Sequence, residues 1–529
     1  MKRLELIWPN KDKVLLGLDG NGKPIWGTKA DLEPRLLVQL EAVGHVNSDN
    51  LDDLYEQGDN LLIKGDNLLA LKALERHFAG KIKCVYIDPP FNTGNAFEHY
   101  DDGLEHTIWL SMMKARLEIL RKLLSAEGLL FVHIDDTEFA PLKILMDEIF
   151  GSSNFISIVI WQKAYSPVNL RKTFSNIHDY IVVYALDFEQ TKVNPLSRTV
   201  EQDKRYKNPD GDPRGPWKSS DLSVGPVVEG KVYEIITPSG RKVLPPKGRC
   251  WVYTKERFEE LVKDNRIWFG KTGKNVPSVK KFLSEVQEGI VPKSLWLRDE
   301  VGDNQEAKRE IKEIFKLGDE VFATPKPERL IKRIIEIATC PGDWVLDSFL
   351  GSGTTSSVAH KLGRKWIGIE LGEHAETLCL PRLKRVVSGE DQTGISKQVD
   401  WKGGGGFRYC VLGESLFAKD EDTGLVMINP KYTNGPLVAA VCNLEDFRLN
   451  NNSLFHGARG NIYAHITEEK VTQAYLDDLL DRLPNGKSLN IYCLKRSTGL
   501  NIPEEVKIKR IPKELQIPRY LTNAKEVEV

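Results

Sequence analysis

Two short stretches of the sequence place residues capable of chemistry directly after apolar runs. In VYIDPPFNTG, residues 85–94, the run ends at Asp88, two prolines and Phe91. In DSFLGSGTT, residues 347–355, an acid is followed by two closely spaced glycines. Because the carboxyl ends of parallel strands form the ligand rim of an α/β sheet, both stretches are candidate site segments.

The first stretch offers hydrogen-bond acceptors and a ring. Pro89 and Pro90 have no N–H donor and fix the turn, while their carbonyls remain acceptors. Asp88 and a backbone carbonyl could accept both N–H bonds of an exocyclic amine, and Phe91 could stack on the base that carries that amine. An Asp-Pro-Pro turn with no catalytic role is the alternative that this window leaves open.

The second stretch indicates a cofactor loop. Glycines after a strand let the backbone approach a ligand, and the following helix start offers free N–H groups. Glu370 ends the next predicted strand 23 residues after Asp347, where nucleotide-binding folds place an acid for ribose hydroxyls. A merely tight turn is the alternative for the loop alone. No lysine follows its glycines, so it is not an ATP-binding Walker loop.

Helical and strand patterns alternate around both stretches. GDNLLALKALERHFAG predicts a helix capped by Asp66 and stopped by Gly80, followed by the strand KIKCVYI. A helix from residue 107 is predicted to stop at Gly128, before the strand LLFVHI and a further capped helix. The rhythm resumes late with PERLIKRIIEIA, DWVLD, GSGTTSSVAHKLG and RKWIGIE. Such alternation predicts parallel strands covered by helices.

Composition indicates a soluble protein of two to four domains. The chain has 529 residues, of which 41% are hydrophobic and 28% charged. No apolar run is long enough to cross a bilayer, so we expect a cytoplasmic protein with no membrane partner. The seven cysteines include no C-x-x-C pair, which argues against a zinc cage or a disulfide framework, and no metal site is predicted.

Positive charge is concentrated in the middle of the chain. The net charge is −1, yet residues 161–298 hold 25 Lys and Arg against 16 Asp and Glu, an excess of nine positive charges. Aromatic residues are interleaved with these charges, which suits a phosphate backbone and exposed bases. A solvated basic face over an ordinary aromatic core is an equally weighted alternative. The rings are Trp161, Tyr165, Phe174, Tyr206, Trp217, Trp251, Tyr253, Trp268, Phe269 and Trp296.

Together these motifs resemble the β-class amino-methyltransferases of DNA, and within them the Mod subunits of Type III restriction-modification systems. The similarity covers about residues 50–410, and the motifs follow the family's order. They are LIKGDNLLALKAL, VYIDPPFNTG, WLSMMKARLEILRKLL, GLLFVHIDD, HDYIVVYA, TPKPERLI, DSFLGSGTT, GIELGE and GGGGFRYCVLGE.

The resemblance implies a Rossmann-like methyltransferase fold with circularly permuted motif order, a mostly parallel twisted sheet, an inserted target-recognition domain and a small C-terminal domain. Proline- and glycine-rich stretches in the middle of the chain and the KGGGG run at 402–406 indicate the domain boundaries. We expect an N-terminal extension at 1–50, a catalytic half at 51–190, the insertion at 191–320, a cofactor-binding half at 321–400 and a C-terminal domain at 401–529.

The resemblance also implies the roles of individual residues. Asp88, Pro89, Pro90 and Phe91 match the catalytic motif, with Phe91 in place of the commoner tyrosine. The residues that match the S-adenosylmethionine site are Asp66, Thr324, Lys326, Asp347, Phe349, Gly351, Ser352, Gly353, Thr354 and Glu370. Among them Asp66 matches a position near the adenine, and Thr324 and Lys326 flank the methionine portion.

The implied activity is methyl transfer from S-adenosylmethionine to the N6 amine of a flipped adenine in duplex DNA. The implied assembly is a homodimer that can join a separate ATP-dependent restriction subunit. An N4-cytosine or RNA amino-methyltransferase and a catalytically silent DNA-recognition subunit are the alternatives. His133 and His178, in VHIDD and HDYIVVYA, are interpreted as structural residues of strand ends rather than ligands or acid/base groups.

Overall fold

The structure, a computed structural model, describes residues 4–18, 23–47, 58–93, 105–166, 173–198, 203–285, 289–315, 322, 324–420, 422–450, 454–518 and 521. Its strands are β1 (Val14–Leu18), β2 (Pro24–Gly27), β3 (Leu37–Gly44), β4 (Asn60–Lys64), β5 (Ile82–Ile87), β6 (Leu124–Ile134), β7 (Phe155–Gln162), β8 (His178–Ala185), β9 (Trp217–Asp221), β10 (Ser223–Val224), β11 (Ile235–Ile236), β12 (Lys242–Val243), β13 (Cys250–Trp251), β14 (Ile267–Trp268), β15 (Ser278–Phe282), β16 (Leu295–Trp296), β17 (Trp344–Asp347), β18 (Lys365–Glu370), β19 (Gly406–Leu412), β20 (Phe417–Lys419), β21 (Val426–Ile428), β22 (Arg448–Leu449), β23 (Gly457–Arg459), β24 (Ile462–Val471), β25 (Ser488–Arg496) and β26 (Val506–Arg510).

The helices are α1 (Asn67–Phe78), α2 (His106–Leu123), α3 (Phe139–Phe150), α4 (Lys255–Lys263), α5 (Arg298–Val301), α6 (Asn304–Phe315), α7 (Glu328–Ala338), α8 (Thr354–Lys361), α9 (Leu380–Ser388), α10 (Asn434–Leu444) and α11 (Gln473–Asp481). None of these helices is long and apolar enough to cross a membrane.

One ten-stranded sheet carries both candidate segments. Its strand order is β16-β7-β8-β6-β5-β17-β18-β4-β19-β3. The run from β6 to β19 is parallel throughout, whereas β8 pairs antiparallel with β6 and β7, and β3 pairs antiparallel with β19. The predicted mostly parallel α/β sheet is confirmed. The strand before DPPF, β5, lies directly beside the strand before the glycine loop, β17.

Local sequence explains the helices that cover this sheet. In α1 the Asp66 side chain accepts a hydrogen bond from the N–H of Leu69 at 3.1 Å, which caps the helix as predicted. The apolar residues of α1, α2 and α3 bury against the sheet in one continuous core. Helices α7 and α8 pack against each other and contact β5 and β17.

The helix that begins near residue 107 ends earlier than expected. The sequence predicted a stop at Gly128, but α2 ends at Leu123 and β6 begins at Leu124. Leu124 has extended backbone angles and pairs with Ile82 of β5, so strand pairing replaces the last expected turn. The apolar helical pattern could not show this, because leucine suits both elements.

Residues 194–292 form a compact unit of their own, and residues 1–193 with 293–529 form the other. The insertion expected from the sequence, 191–320, extends 28 residues beyond the C-terminal end of this unit. The described residues 293–315 contribute β16, α5 and α6 to the larger unit. β16 pairs with β7, which places it in the main sheet.

The terminal segments also differ from the expected division. β3, in the expected N-terminal extension, and β19, after the glycine run, pair with each other, and β19 pairs with β4. Both strands therefore complete the main sheet. A second sheet, in the order β22-β23-β24-β25-β26, follows with α10 and α11 and belongs to the same compact unit as the main sheet.

The unit 194–292 has a small core of its own. A three-stranded sheet of β14, β15 and β9 and two-stranded ladders surround Trp251, Phe258 and Ile267. The Lys280 ammonium is buried and pairs with Asp210 and Asp212. That lysine therefore holds the unit together and is not available to a phosphate.

Half of the ten aromatic residues noted in the basic segment are buried core residues. The buried ones are Trp161, Tyr206, Trp217, Trp251 and Trp296. For these rings the ordinary-core alternative is correct. Tyr165 and Phe174, by contrast, are 70% and 88% exposed in the connection between β7 and β8. These two rings remain candidates for stacking on bases.

Candidate functional site

The two candidate segments meet where neighbouring parallel strands end. Val85 of β5 is paired with Leu346 of β17, so DPPF and the glycine loop leave the same edge of the sheet side by side. Glu370 ends β18, the next strand, where Gly368 is paired with Asp347. The topology therefore brings Asp88, Phe91, the glycine loop and Glu370 to the same edge of the sheet.

Asp88 is held by one of its two carboxylate oxygens. Its Oδ2 forms an ion pair with the Lys326 ammonium. Its Oδ1 is buried and has no hydrogen-bond partner among the described residues. Since a buried carboxylate oxygen is costly to leave unsatisfied, Oδ1 is an acceptor ready for a donor from a ligand.

Phe91 lies against an imidazole. The rings of Phe91 and His133 are stacked, with centroids 5.8 Å apart and planes 15° from parallel. The Lys326 ammonium lies 5.5 Å from the centroid of the Phe91 ring. One ring face is thus supported from inside the protein, which fixes the plane on which a base could stack.

His133 is fixed in turn by polar groups from β5 and β8. Its Nε2 lies 3.4 Å from Asp179 Oδ2, and its Nδ1 lies 3.1 Å from the Tyr86 hydroxyl. Because a carboxylate can only accept, Nε2 carries the proton and Nδ1 accepts from the tyrosine. Asp179 Oδ1 also accepts from the Lys163 ammonium at 2.6 Å. The strand-end interpretation of His133 agrees with this buried network, and the network also supports the Phe91 ring.

Two pKa values in this network move downward. Burial, with the nearby Lys326 charge, lowers the pKa of His133 below its ordinary 6.5 despite the contact with Asp179. Burial would raise the pKa of Asp179, but its contacts with His133 and Lys163 outweigh this and bring the pKa to about 2. At neutral pH the imidazole is therefore neutral and the carboxylate is ionised.

The turn after DPPF is held by side chains from two helix starts. Trp109 Nε1 donates a 2.7 Å hydrogen bond to the Pro90 carbonyl. Asn92 has a φ of 60° and donates through Nδ2 to Glu138 Oε1 at 2.7 Å, while His106 Nδ1 lies 2.6 Å from the same oxygen. Because the Pro90 carbonyl already accepts a hydrogen bond from Trp109, the Pro89 carbonyl is the candidate second acceptor for an amine.

The glycine loop is folded around Glu370. Its Oε2 accepts from the Gly351 N–H at 2.6 Å, and its Oε1 accepts from the Leu371 N–H at 2.8 Å. Gly351 has a φ of 55°, and a Cβ there would lie 3.3 Å from the Phe322 ring. Gly353 also has a positive φ, of 80°, at the start of α8. The loop therefore requires glycine for its conformation and, at Gly351, for space.

Asp347 is buried beneath the loop. It accepts from the Phe349 N–H at 2.9 Å and from the Thr355 hydroxyl at 2.6 Å. Burial raises the pKa of Asp347 to about 7 in spite of these two donors, and the charges of Asp88 and Glu370 act in the same direction. Through its two hydrogen bonds Asp347 holds the conformation of the loop from the buried side.

A buried group of charges, which we call the Glu328 cluster (Glu328, Lys361, Arg382 and Asp391), holds the other side of the loop. The Glu328 carboxylate accepts from Lys361 Nζ at 2.8 Å and from Arg382 Nη2 at 2.9 Å, and Lys361 also pairs with Asp391. Arg382 Nη1 then donates to the Ser352 carbonyl at 3.0 Å and to the Thr354 hydroxyl at 2.9 Å. Ser352 and Thr354, expected to contact a cofactor directly, are thus anchored from behind.

The remaining predicted site residues lie at the rim. Asp66 caps α1 and lies 3.4 Å from Arg116, while its neighbour Asn67 donates to the Ser348 carbonyl at 2.7 Å. Thr324 is exposed just before the buried stretch that contains Lys326. The structure shows no direct contact that would assign Thr324 a role among the described residues.

Sequence reasoning missed several supporting residues. Arg382, Lys361 and Glu328 lie on three different helices, and no spacing in the sequence connects them. Tyr86 and Asp179 are separated from His133 by 47 and 46 residues. The one available signal was an unusual set of charges inside otherwise apolar elements, such as Glu328 at the start of PERLIKRIIEIA.

Residues 82–379 match the N6/N4 methyltransferase family, described as DNA methylase. The chain belongs to this family. Its curated relatives include the probable Type III restriction-modification enzyme HindVI Mod subunit of Haemophilus influenzae, 34% identical over 410 residues, or 67% of this chain and 54% of the relative. The StyLTI Mod subunit of Salmonella typhimurium is 36% identical over 58% of this chain and 50% of its own length.

A third relative is shorter. The Type II methyltransferase M.EcaI of Enterobacter cloacae is 31% identical over 64% of this chain and 74% of its own length. The chain spans about half the length of the two Mod subunits. The resemblance to DNA methyltransferases that the motifs indicated is confirmed at the level of the family.

The Glu328 cluster predicts a large loss of stability when its central charge is removed. Glu328→Gln leaves Arg382 and Lys361 buried with too little negative charge, so the free energy of unfolding should fall by about 3 to 5 kcal/mol. The measurement is urea unfolding of the purified chain. The control is Glu336→Gln on the same helix. Loss of its partly exposed ion pair with Lys332 should lower the free energy of unfolding by about 0 to 1 kcal/mol. Equal losses of unfolding free energy in the two variants would show that the buried Glu328 charge contributes no more to stability than the Glu336 charge.

The lowered pKa of His133 predicts a pH dependence of stability. Below pH 6.5 the unfolded chain binds a proton at this residue while the folded chain does not, so the free energy of unfolding falls as the pH falls. Asp179 does not contribute here, because its change begins only below its ordinary value of 3.8. His133→Gln should therefore lose less stability than the wild type between pH 6.5 and 5, measured by urea unfolding.

The exposed His45 provides the comparison for this experiment. His45→Gln controls for the substitution itself, because it removes an exposed imidazole instead of a buried one. A slope for His133→Gln as steep as that of the wild type would show that the buried imidazole takes up protons as readily as an unfolded one.

Proposed function

We propose that this chain is an S-adenosylmethionine-dependent DNA methyltransferase that modifies the N6 amine of adenine in duplex DNA. The observation that carries the proposal is Oδ1 of Asp88, which is buried without a partner in the described part of the chain. It lies beside the supported ring of Phe91, one strand away from the glycine loop. An acceptor, a stacking plane and a cofactor loop are the parts that amine methylation requires. Membership of the DNA methylase family supports the same reaction.

The residues of the loop fit the proposed cofactor. Positive φ angles at Gly351 and Gly353 keep the loop open to a ligand, and Glu370 is oriented by loop N–H groups close to where a ribose acid is expected. Asp347 and the Glu328 cluster fix the loop conformation before any ligand arrives. When bound, the sulfonium of S-adenosylmethionine supplies an electrophilic methyl group.

The protein's own contribution is positioning. The lone pair of an adenine amine is delocalised into the ring, which makes the amine a poor nucleophile. Hydrogen bonds from the amine to Asp88 Oδ1 and the Pro89 carbonyl favour a tetrahedral nitrogen and free that pair. Phe91 holds the base in the plane set by His133. The target must leave the helix to reach this pocket, at an unstacking cost on the order of a few kcal/mol.

We infer that duplex DNA is recognised in part by the unit 194–292. The exposed basic residues of its hairpin region, Arg241, Lys242, Lys247 and Arg249, suit contacts with phosphates. The similarity to two Type III Mod subunits supports a role as the modification subunit of a Type III system, and we extend the proposal to a homodimer with a separate ATP-dependent restriction subunit. N4-cytosine transfer is the second candidate, because the family includes N4 enzymes.

The first test is the reaction itself. Labelled S-adenosylmethionine and duplex DNA should yield N6-methyladenine, identified by nucleoside analysis. Asp88→Ala should slow transfer by about 100-fold or more while cofactor binding is retained, because Asp88 contacts the amine and lies beside the loop. The exposed Asp12→Ala is the control and should keep wild-type activity. N4-methylcytosine as the product, or full turnover in Asp88→Ala, would overturn the proposal.

A second test addresses the cofactor loop. Gly351→Leu should abolish S-adenosylmethionine binding in calorimetry, because its side chain fills the space beside Phe322. Gly363→Leu is a matched control: Gly363 also has a positive φ, of 69°, but a Cβ there meets nothing within 4 Å. Both variants bear a similar backbone strain. Loss of binding in both would therefore show that strain, and not a side chain in the space proposed for the ligand, prevents binding.

A further inference from the structure

The two oxygens of Asp88 have different surroundings. Oδ2 pairs with the Lys326 ammonium, whereas Oδ1 is buried with no partner among the described residues. The motif around Lys326 predicts that this residue flanks the methionine portion of the cofactor. In the structure its ammonium instead reaches the residue that is expected to contact the base.

Lys326 is held firmly in this position. It is only 9% exposed, and both flanking prolines are buried. Two residues further on, Glu328 is anchored in the Glu328 cluster, and its N–H donates to Glu310 Oε2 at 3.0 Å. With a rigid backbone on both sides, the ammonium has few alternative positions.

We propose that Lys326 is a positioning residue of the transfer reaction, which binds one oxygen of Asp88 so that the other is presented to the target amine. This inference rests on the proposed function. A carboxylate that is free to rotate would offer either oxygen in many orientations, and a charge-assisted hydrogen bond to Oδ2 removes that freedom. The same ammonium lies over the Phe91 ring, so acceptor and stacking plane are fixed relative to each other.

The reaction balances around this arrangement. The amine donates one N–H to Oδ1, and its nitrogen lone pair forms the new N–C bond. The C–S bond breaks, and its electron pair remains on sulfur as a thioether. The methylated nitrogen then releases one proton, first to Oδ1 and then to water. The Lys326 side chain remains hydrogen-bonded to Oδ2 and takes no part in bond making.

The two roles of Lys326 make different predictions. If Lys326 positions Asp88, Lys326→Met should reduce kcat by about 10- to 100-fold, because a misplaced acceptor slows the chemical step. The Kd for S-adenosylmethionine should change less than about twofold, since no contact with the cofactor is lost. If Lys326 instead holds the methionine carboxylate, that Kd should rise by about tenfold or more, as expected for the loss of a charge-assisted contact.

The experiment compares four chains: wild type, Lys326→Met, Lys326→Arg and Lys332→Met. Single-turnover methylation at saturating DNA and cofactor gives the rate, and calorimetry with the cofactor alone gives the Kd. Lys326→Arg keeps a cation that can reach Oδ2 and should recover most of the lost rate. Lys332→Met, on the partly exposed face of α7, should match the wild type.

Each outcome decides the question. A reduced rate with unchanged cofactor affinity and recovery in Lys326→Arg supports the inference. An unchanged rate in Lys326→Met, or a loss confined to cofactor affinity, overturns it. Should Lys326→Met fail to fold, Lys326→Gln, which has a neutral donor, takes its place with the same expected pattern. Absence of methylation by the wild type would count against the proposed function and not against this assignment.

Discussion

The site depends on one buried ionic contact, that between Glu328 and Arg382. Charges are expensive to bury, and this pair is tolerated because each partner makes further hydrogen bonds: Glu328 with Lys361 and the Ile395 N–H, and Arg382 with Ser352 and Thr354. Arg382 fixes the glycine loop through Ser352 and Thr354, and Glu328 fixes the backbone that carries Lys326. The glycine loop and the lysine that pairs with Asp88 are therefore both anchored to the Glu328–Arg382 pair. This common anchor fixes the loop and Asp88 relative to each other.

A second layer works by a different kind of force. Phe91 rests on His133, which is held by Tyr86 and Asp179, and Asp179 is held by Lys163. Polarity increases with each step away from the ring. On the His133 side the ring meets a neutral, fully buried imidazole, which gives it a flat support. Substituting Phe for the commoner Tyr at this position leaves that support in place.

Much of the fold could be predicted from the sequence, because its signals are local. Asp66 as a cap, the apolar strand before Asp88 and the glycines after Asp347 each appear within a short window, and adjacency of β5 and β17 follows from parallel topology. The candidate site residues were named from short windows of the same kind, and their roles stay predictions. Their supports were not named, since Arg382, Asp179 and Tyr86 reach the site only through folding. Lys326 shows the limit best: its motif indicated the cofactor, but only the structure shows its ammonium on Asp88.

The order of strands in the main sheet has a consequence for how the protein is made. β4 at residues 60–64 lies between β18 and β19, and β5 at 82–87 has β17 as a neighbour, so partners that touch in the sheet are separated by more than 250 residues of chain. Until residue 412 has left the ribosome, the first strands have open edges and incomplete pairing. Such long-range closure is slow, and unpaired edges invite association with other chains. The newly synthesised methylase domain is therefore exposed to aggregation for most of its translation, and it depends on the helices α1 to α3, whose contacts are closer in sequence, to shield the early strands.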